Sequence, residues 1–146
     1  SESKEFTPND FKNYHPDGIL GEKLSLKVKD IMTSYKPKVD SNDSLDKIIL
    51  TISENRLGAT AVFESNNLCG IITDGDLRRM LLNEKENKKI AKEIMNPNPK
   101  TISPEHSALE CLIYMKKEKI SQLIIMNSDN MYLGIIHIHD IINKGF

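Results

Sequence analysis

A shift of 63 residues lays one half of this chain on the other, and nothing else in the sequence restricts its fold as strongly. "VKDIMTS", Val28 to Ser34, falls on "AKEIMNP", Ala91 to Pro97, with Asp30 on Glu93 and Ile31-Met32 on Ile94-Met95. Under the same shift "SLDKIILTI" from Ser44 falls on "SALECLIYM" from Ser107, and "GATAVF" from Gly58 falls on "SQLIIM" from Ser121. The loop that follows is one residue longer in the second copy. The last match, "GIITDGD" at Gly70 on "GIIHIHD" at Gly134, is therefore displaced by 64.

Within a copy the apolar period changes in a readable way. Leu45, Ile48, Ile49 and Ile52 follow helical spacing, and Ser107 with Glu110 forms a capping box before the matching helix. "TAVFE" and "LCGIIT" are β-rich runs separated by the turn sequence "SNN", repeated as "LIIMN", "SDN" and "YLGIIH". A further helix is predicted from near Asp74 to around Asn83, followed by the polar connector "NEKENKK". Each copy then reads as a short helix, a strand, a helix, two strands and a helix.

A copy of about sixty residues buries little surface alone, whereas a chain of 146 can bury about 70% of what its unfolded form exposes. The two copies are thus expected to pack about a pseudo-two-fold, giving an α+β fold in which each repeat is a small β-sheet packed with helices. Clefts form between them. The boundaries expected are 28–84 for the first repeat and 91–146 for the second, with 1–27 outside both.

Composition removes several classes of function. Twenty Lys and Arg against 21 Asp and Glu, with the lysines scattered, leave no basic field for a nucleic acid. No apolar run approaches the roughly 20 residues of a membrane helix, and "SESKEFTPND" lacks the order of a secretory signal, so a cytoplasmic protein with no membrane partner is expected. Cys69 and Cys111 stand far apart inside apolar patterns, which suggests buried, reduced thiols rather than a disulfide framework.

The stretch "GIITDGDLRR" admits three readings. Asp74 and Asp76 are too few carboxylates for a hard cation, and His137 with His139 in "HIHD" lacks a set that completes a tetrahedral site, so no metal is expected. Thr73 with Asp76 three residues on makes a capping box, and acidic groups suit a helix N-terminus. The cap alone does not account for Arg78-Arg79, nor for an aspartate kept at Asp140 where His137 replaces the hydroxyl. A carboxylate also accepts from the vicinal hydroxyls of a ribose, while a hydroxyl, backbone N–H groups and an arginine suit a phosphate. The spacing suits a nucleotide as well as a cap.

These motifs resemble tandem CBS domains, the cystathionine-β-synthase type modules, over about Leu26 to Lys144: "DIM" and "EIM" open the copies, and "GIITDGD" and "GIIHIHD" close their sheets. In that family the Gly, apolar, apolar, Ser/Thr, two variable residues, Asp signature binds adenosine nucleotides between the copies. The resemblance singles out Thr73 and Asp76, with Arg78 beside them, and in the second copy Asp140 with the departing His137. The sequence "FTPNDFKNYHPDGILGEKLSLKVKDIM" together with "GIITDGDLRR" also resembles the C-terminal part of arabinose 5-phosphate isomerases, in which a sugar isomerase domain precedes two CBS domains. Those enzymes interconvert ribulose 5-phosphate and arabinose 5-phosphate for synthesis of Kdo, a sugar of lipopolysaccharide.

The family's junction motif His-Pro-Gly-Gly-x-Leu-Gly matches "HPDGILG", His15 to Gly21, with Asp17 for the first glycine. The resemblance implies that 1–27 is the tail of the isomerase domain and that His15 serves its active site as an acid/base group. From the residues alone, Pro16 to Gly18 are a turn and His15 is exposed. No sugar-phosphate loop, base constellation or dinucleotide fingerprint occurs in the 146 residues, so this chain is read as non-enzymatic, the regulatory part of an aldose-ketose isomerase. It would need no cofactor and sense an adenine nucleotide or the nucleotide-sugar CMP-Kdo, with the isomerase domain and a second copy as partners. A structural assembly module that binds nothing is the alternative. A homo-oligomer is expected because Leu77, Met80, Leu81, Ile141 and Ile142 would otherwise leave apolar surface exposed.

Overall fold

The computed structural model describes Gly21 and residues 24–83 and 90–146. The first copy contains α1 (Val28–Ile31), β1 (Lys38–Asp40), α2 (Leu45–Ser53), β2 (Ala59–Glu64), β3 (Asn67–Thr73) and α3 (Asp74–Leu82). The second contains α4 (Ala91–Ile94), β4 (Asn96–Pro97), β5 (Thr101–Ile102), α5 (Ala108–Glu118), β6 (Gln122–Met126), β7 (Tyr132–His137) and α6 (Ile138–Ile142).

Local chemistry sets the element ends. Ser44 Oγ accepts the Lys47 N–H at 3.4 Å, and Ser107 Oγ accepts the Glu110 N–H at 3.0 Å while Glu110 Oε1 accepts the Ser107 N–H at 3.3 Å. Those bonds satisfy donors that a helix start leaves without partners. Between β2 and β3, Ser65 (φ 50) and Asn66 (φ 67) both lie in the left-handed region, the pattern of a two-residue type I′ hairpin whose twist matches the strands. The longer second hairpin instead winds around Asn127, whose Oδ1 accepts the N–H groups of Asp129 and Met131, each at 2.9 Å. That extra residue changes the repeat shift from 63 to 64.

Sheet order is β1-β2-β3-β4 in one sheet and β5-β6-β7 in the other. In each, the first pair is parallel and the hairpin antiparallel, with a bulge at the equivalent steps Val62/Phe63 and Ile125/Met126. The two sheets meet face to face through Ala59, Ala61, Ile124 and Ile135, the small alanines of one copy against the isoleucines of the other. On their outer faces Val62 and Ile72 pack with Ile48, Ile52 and Leu77, and Leu123, Ile125 and Ile136 pack with Cys111, Met115 and Ile141.

The opening helices are exchanged. Val28 and Ile31 of α1 are buried in the core of the second copy, and α1 is pinned there by N–H bonds from Val28 to His106 O (2.9 Å) and from Lys29 to Pro104 O (3.0 Å). Ala91 and Ile94 of α4 complete the core of the first, with Ala91 and Lys92 donating to Asp43 O and Ser41 O at 2.9 Å each. The order of elements is as the sequence predicts except for the added two-residue strand β4 in the second copy, but a four-residue helix with a two-residue apolar stripe carries no signal of which copy will bury it.

Exchange brings each opening segment hard against the partner copy's last strand. β4 pairs antiparallel with β3, aligning Gly70 with Pro97 and Ile71 with Asn96. A Cβ on Gly70 would stand 2.8 Å from Met95 Cγ and 2.9 Å from its Cβ; one on Gly134, whose φ is 145°, would stand 2.8 Å from the Tyr35 carbonyl oxygen. Both motif glycines are thus required by chain crossing.

One expectation about the surface is corrected. Leu77 (7% exposed) and Ile141 (0%) seal the cores and Met80 is partly buried, because the residue after each motif aspartate falls on the inward face of its helix. The apolar surface on these helices is carried by Leu81 (62%), Leu82 (77%) and Ile142 (41%). Among the described residues no helix is long and apolar enough to cross a membrane.

Candidate functional site

β3 ends at Thr73, which caps α3. Thr73 Oγ1 accepts the Asp76 N–H at 3.1 Å, and Asp76 Oδ2 accepts the Thr73 N–H at 2.9 Å, so the capping box read from the sequence is formed. Two further donors reach the same carboxylate. Asn96 Nδ2 donates to Oδ2 at 2.8 Å and Arg79 Nη2 donates to Oδ1 at 2.6 Å. Asn96 belongs to the second copy and is delivered by the pairing of β4 with β3. The Asp76 side chain is only 11% exposed, against 73% for that of Arg79.

This carboxylate stands on the wall of a cleft of about 650 Å³ between the two copies. One wall is the first turn of α3 with Arg79; the others are Asn96 to Lys100, Lys119 to Gln122, and His137. Arg79, Lys100 and Lys119 supply cations, Asp74 and Asp76 carboxylates, and Ile71, Pro97, Pro99 and Ile120 apolar surface. Lys100 Nζ is held by Glu118 Oε1 at 2.8 Å. Carboxylate, hydroxyl and helix N-terminus beside cations and apolar walls can take a vicinal diol, an anion and a flat base in one ligand.

Of the residues singled out in the sequence, Thr73, Asp76 and His137 come together here. Arg78 and Asp140 are not among the residues lining this cleft; Arg79 lines it instead of Arg78. His15 lies outside the described residues. Asn96 and Lys100 were not anticipated, because they reach the site on the exchanged opening segment of the second copy; nor was Lys119, which enters it from the C-terminal end of α5. The signal available was the repeat itself, since a β-pairing of "NPNPK" with "GIIT" sets Asn96 beside the cap.

Asp140 repeats the cap without the hydroxyl. Its Oδ2 accepts the His137 N–H at 3.0 Å, and His137 Nδ1 accepts the His139 N–H at 3.0 Å, so an imidazole nitrogen replaces the threonine oxygen. Nδ1 as acceptor assigns the neutral tautomer with its proton on Nε2. The His137 pKa is lowered accordingly, first by burial and then by His139, against the opposing pull of Asp140 and Asp74. Its ring meets that of His139 edge-on at 4.8 Å. No group of three or more His, Cys, Asp or Glu side chains able to hold a metal ion occurs among the described residues.

A family model described as the CBS domain matches the chain twice, over residues 28–83 and 91–145. The arabinose 5-phosphate isomerase KdsD of Francisella tularensis is 44% identical over 143 residues, 96% of this chain and 44% of the relative. The arabinose 5-phosphate isomerase KpsF of Escherichia coli is 36% identical over 94% of this chain and 42% of its own. The chain thus spans less than half the length of these relatives. Among solved structures, the CBS domain pair of protein MJ0100 in complex with 5-methylthioadenosine and S-adenosyl-L-methionine superposes with a TM-score of 0.72 at 25% identity, covering 80% of this chain and 93% of that one. CBSX2 in complex with AMP gives 0.69 at 21% identity, covering 81% and 94%.

Proposed function

The chain belongs to the CBS-domain family, and on that premise we propose that the cleft between its copies is the receptor site of a regulatory adenine nucleotide. The observation that carries the reading is the Asp76 carboxylate. It is fixed by the Thr73 cap, nearly buried, and set on a cleft wall beside a hydroxyl, a helix N-terminus and three cationic side chains. A helix cap alone needs neither Asn96 from the other copy nor the surrounding cations. AMP in one structural neighbour and two adenosyl compounds in another support an adenosine-containing ligand. The adenosyl group is the part those ligands share. A cytidine nucleotide-sugar such as CMP-Kdo draws no such support.

The relatives further support a role within a longer arabinose 5-phosphate isomerase. In this reading residues 1–27 lead from an isomerase domain acting in Kdo synthesis, where His15 serves as an acid/base group, and 28–84 and 91–146 form the sensor. The second reading is an assembly module that binds no small molecule, favoured by Leu81 and Leu82 exposed on α3.

Thermal denaturation of the 146-residue chain with AMP, ATP, CMP and CMP-Kdo separates the two. A ligand at a hundredfold excess over its dissociation constant stabilises the fold by about 2.7 kcal/mol, which shifts the midpoint by several degrees. Shifts with AMP or ATP are expected. No shift with any of the four rejects the sensor and leaves the assembly module.

A further inference from the structure

His137 is held in place by a bond that a proton destroys. Its Nδ1 accepts the His139 N–H at 3.0 Å, the contact through which an imidazole stands in for a hydroxyl cap. A neutral ring has one acceptor nitrogen, and an imidazolium has none. Once protonated, Nδ1–H points at the His139 N–H, donor against donor, and turning the ring over presents a C–H instead. The protonated ring must therefore leave the cap.

Where it can go is set by the sheets. Ile124 and Ile135 lie on the face that meets the first copy, and Gln122 and His137, cross-strand partners two residues away in each strand, stand on that same face. Gln122 reaches the first copy, donating from Nε2 to Leu57 O at 3.1 Å. Next to it is the first turn of α3. A Cβ on Gly58 would lie 3.4 Å from Gln122 Nε2 and 3.0 Å from Asp74 Oδ2, so a single glycine separates that amide from that carboxylate. The Asp74 carboxylate is exposed and makes no hydrogen bond or ion pair among the described residues. The charges around the ring are His139 and Asp140 on its own helix and Asp74 from α3, beside the neutral Gln122 of β6; Arg79, Lys100 and Lys119 stand on the other walls of the cleft. Asp140 already accepts the His137 N–H through Oδ2 at 3.0 Å, whereas Asp74 is unengaged.

We propose that His137 is a proton-operated latch between the two copies: neutral, it caps α6 within the second copy; protonated, it turns to the Asp74 carboxylate of the first and bridges two walls of the cleft. The latch is independent of what the cleft holds. It makes the contact between the copies a function of pH. Burial and His139 hold the ring's pKa below its ordinary 6.5, so the latch is open at neutral pH and closes as the solution turns acid.

The test is NMR titration of the unliganded 146-residue chain and of its Asp74→Asn variant from about pH 7.5 to about 5. Above the midpoint the ring nitrogen shifts should show a bare Nδ1 and a protonated Nε2. Through the midpoint the His139 amide should move with the ring and exchange faster with solvent, and below it cross-relaxation should appear between the His137 ring protons and the Asp74 Hβ. In Asp74→Asn the midpoint should fall by about half a pH unit, the scale of one exposed ion pair, and the contact to residue 74 should weaken. A His139 amide that does not follow the ring overturns the proposal, as does a midpoint shared by wild type and variant. So does a lowered midpoint with no contact to Asp74, since the carboxylate then acts only through its field. A contact to Asp140 in place of Asp74 keeps the proton within the second copy and equally refutes a latch between copies.

Discussion

Gly70 and Gly134 occupy the same place in the two copies, yet replacing each by alanine should give unequal costs. At Gly70 the three atoms nearest the new methyl all belong to the Met95 side chain; its sulfur and its Cγ (2.8 Å) can rotate away, while its Cβ (2.9 Å) must shift slightly with the chain. Overpacking of that kind costs about 1–3 kcal/mol. At Gly134 the methyl meets the Tyr35 carbonyl oxygen at 2.8 Å, which cannot move without moving the chain, and the φ of 145° is strained for any L side chain. Backbone strain adds about 1–3 kcal/mol to a clash of at least equal size, for a total of about 2–6 kcal/mol. Against the 5–15 kcal/mol of a typical domain this leaves Gly134→Ala marginal and Gly70→Ala folded. Urea denaturation of both variants measures the difference. Double-mutant cycles then test its cause: Met95→Ala should recover part of the Gly70→Ala loss, and Tyr35→Ala should recover none of the Gly134→Ala loss. Equal losses at the two glycines, or rescue by Tyr35→Ala, would refute the exchanged packing as their reason.

Two further outcomes follow from titrating groups. The His137 pKa is held below its ordinary 6.5, so the unfolded chain takes up the proton first. His137 therefore contributes stability that is full above about pH 6.5 and is lost as pH falls from there through the folded value. His137→Ser, which restores a hydroxyl cap, should lose less stability than wild type between pH 7.5 and 5.5 in denaturant titrations; parallel losses would contradict the imidazole cap. Burial pushes the Cys111 thiol up to about 11, and Cys69 is raised by burial, Glu64 and Asp40. Alkylation of the folded chain at pH 8, mapped by mass spectrometry, should label half-buried Cys69 slowly and fully buried Cys111 more slowly still; labelling of Cys111 at the rate of Cys69 would count against the core assignment.

Where one residue's chemistry decides locally, the sequence was legible. Ser107 with Glu110, Thr73 with Asp76 and the "SNN" hairpin all form as their residue types require. Packing between copies was not. Val28 and Ile31 make the same apolar stripe whichever core takes them, so the exchange and the arrival of Asn96 at Asp76 needed the three-dimensional fold. Helix phase was a signal passed over. Asp76 and Arg79 are three apart and share a face, whereas Arg78, two from Asp76, does not. The same phase turns Leu77 and Ile141 inward.

The claim that Asp76 is a ligand group as well as a cap is tested most directly by calorimetric titration of AMP into wild type, Asp76→Asn and Asp140→Asn. Asparagine keeps an acceptor for the Thr73 N–H and loses the charge, so the unliganded fold should weaken by only about 0.5–1 kcal/mol. Affinity for AMP should fall by about 1.5–3 kcal/mol, at least tenfold, in Asp76→Asn. Asp140, which does not line the cleft, should leave it nearly unchanged. Equal affinity in wild type and Asp76→Asn would contradict the account and leave "GIITDGDLRR" as a helix cap.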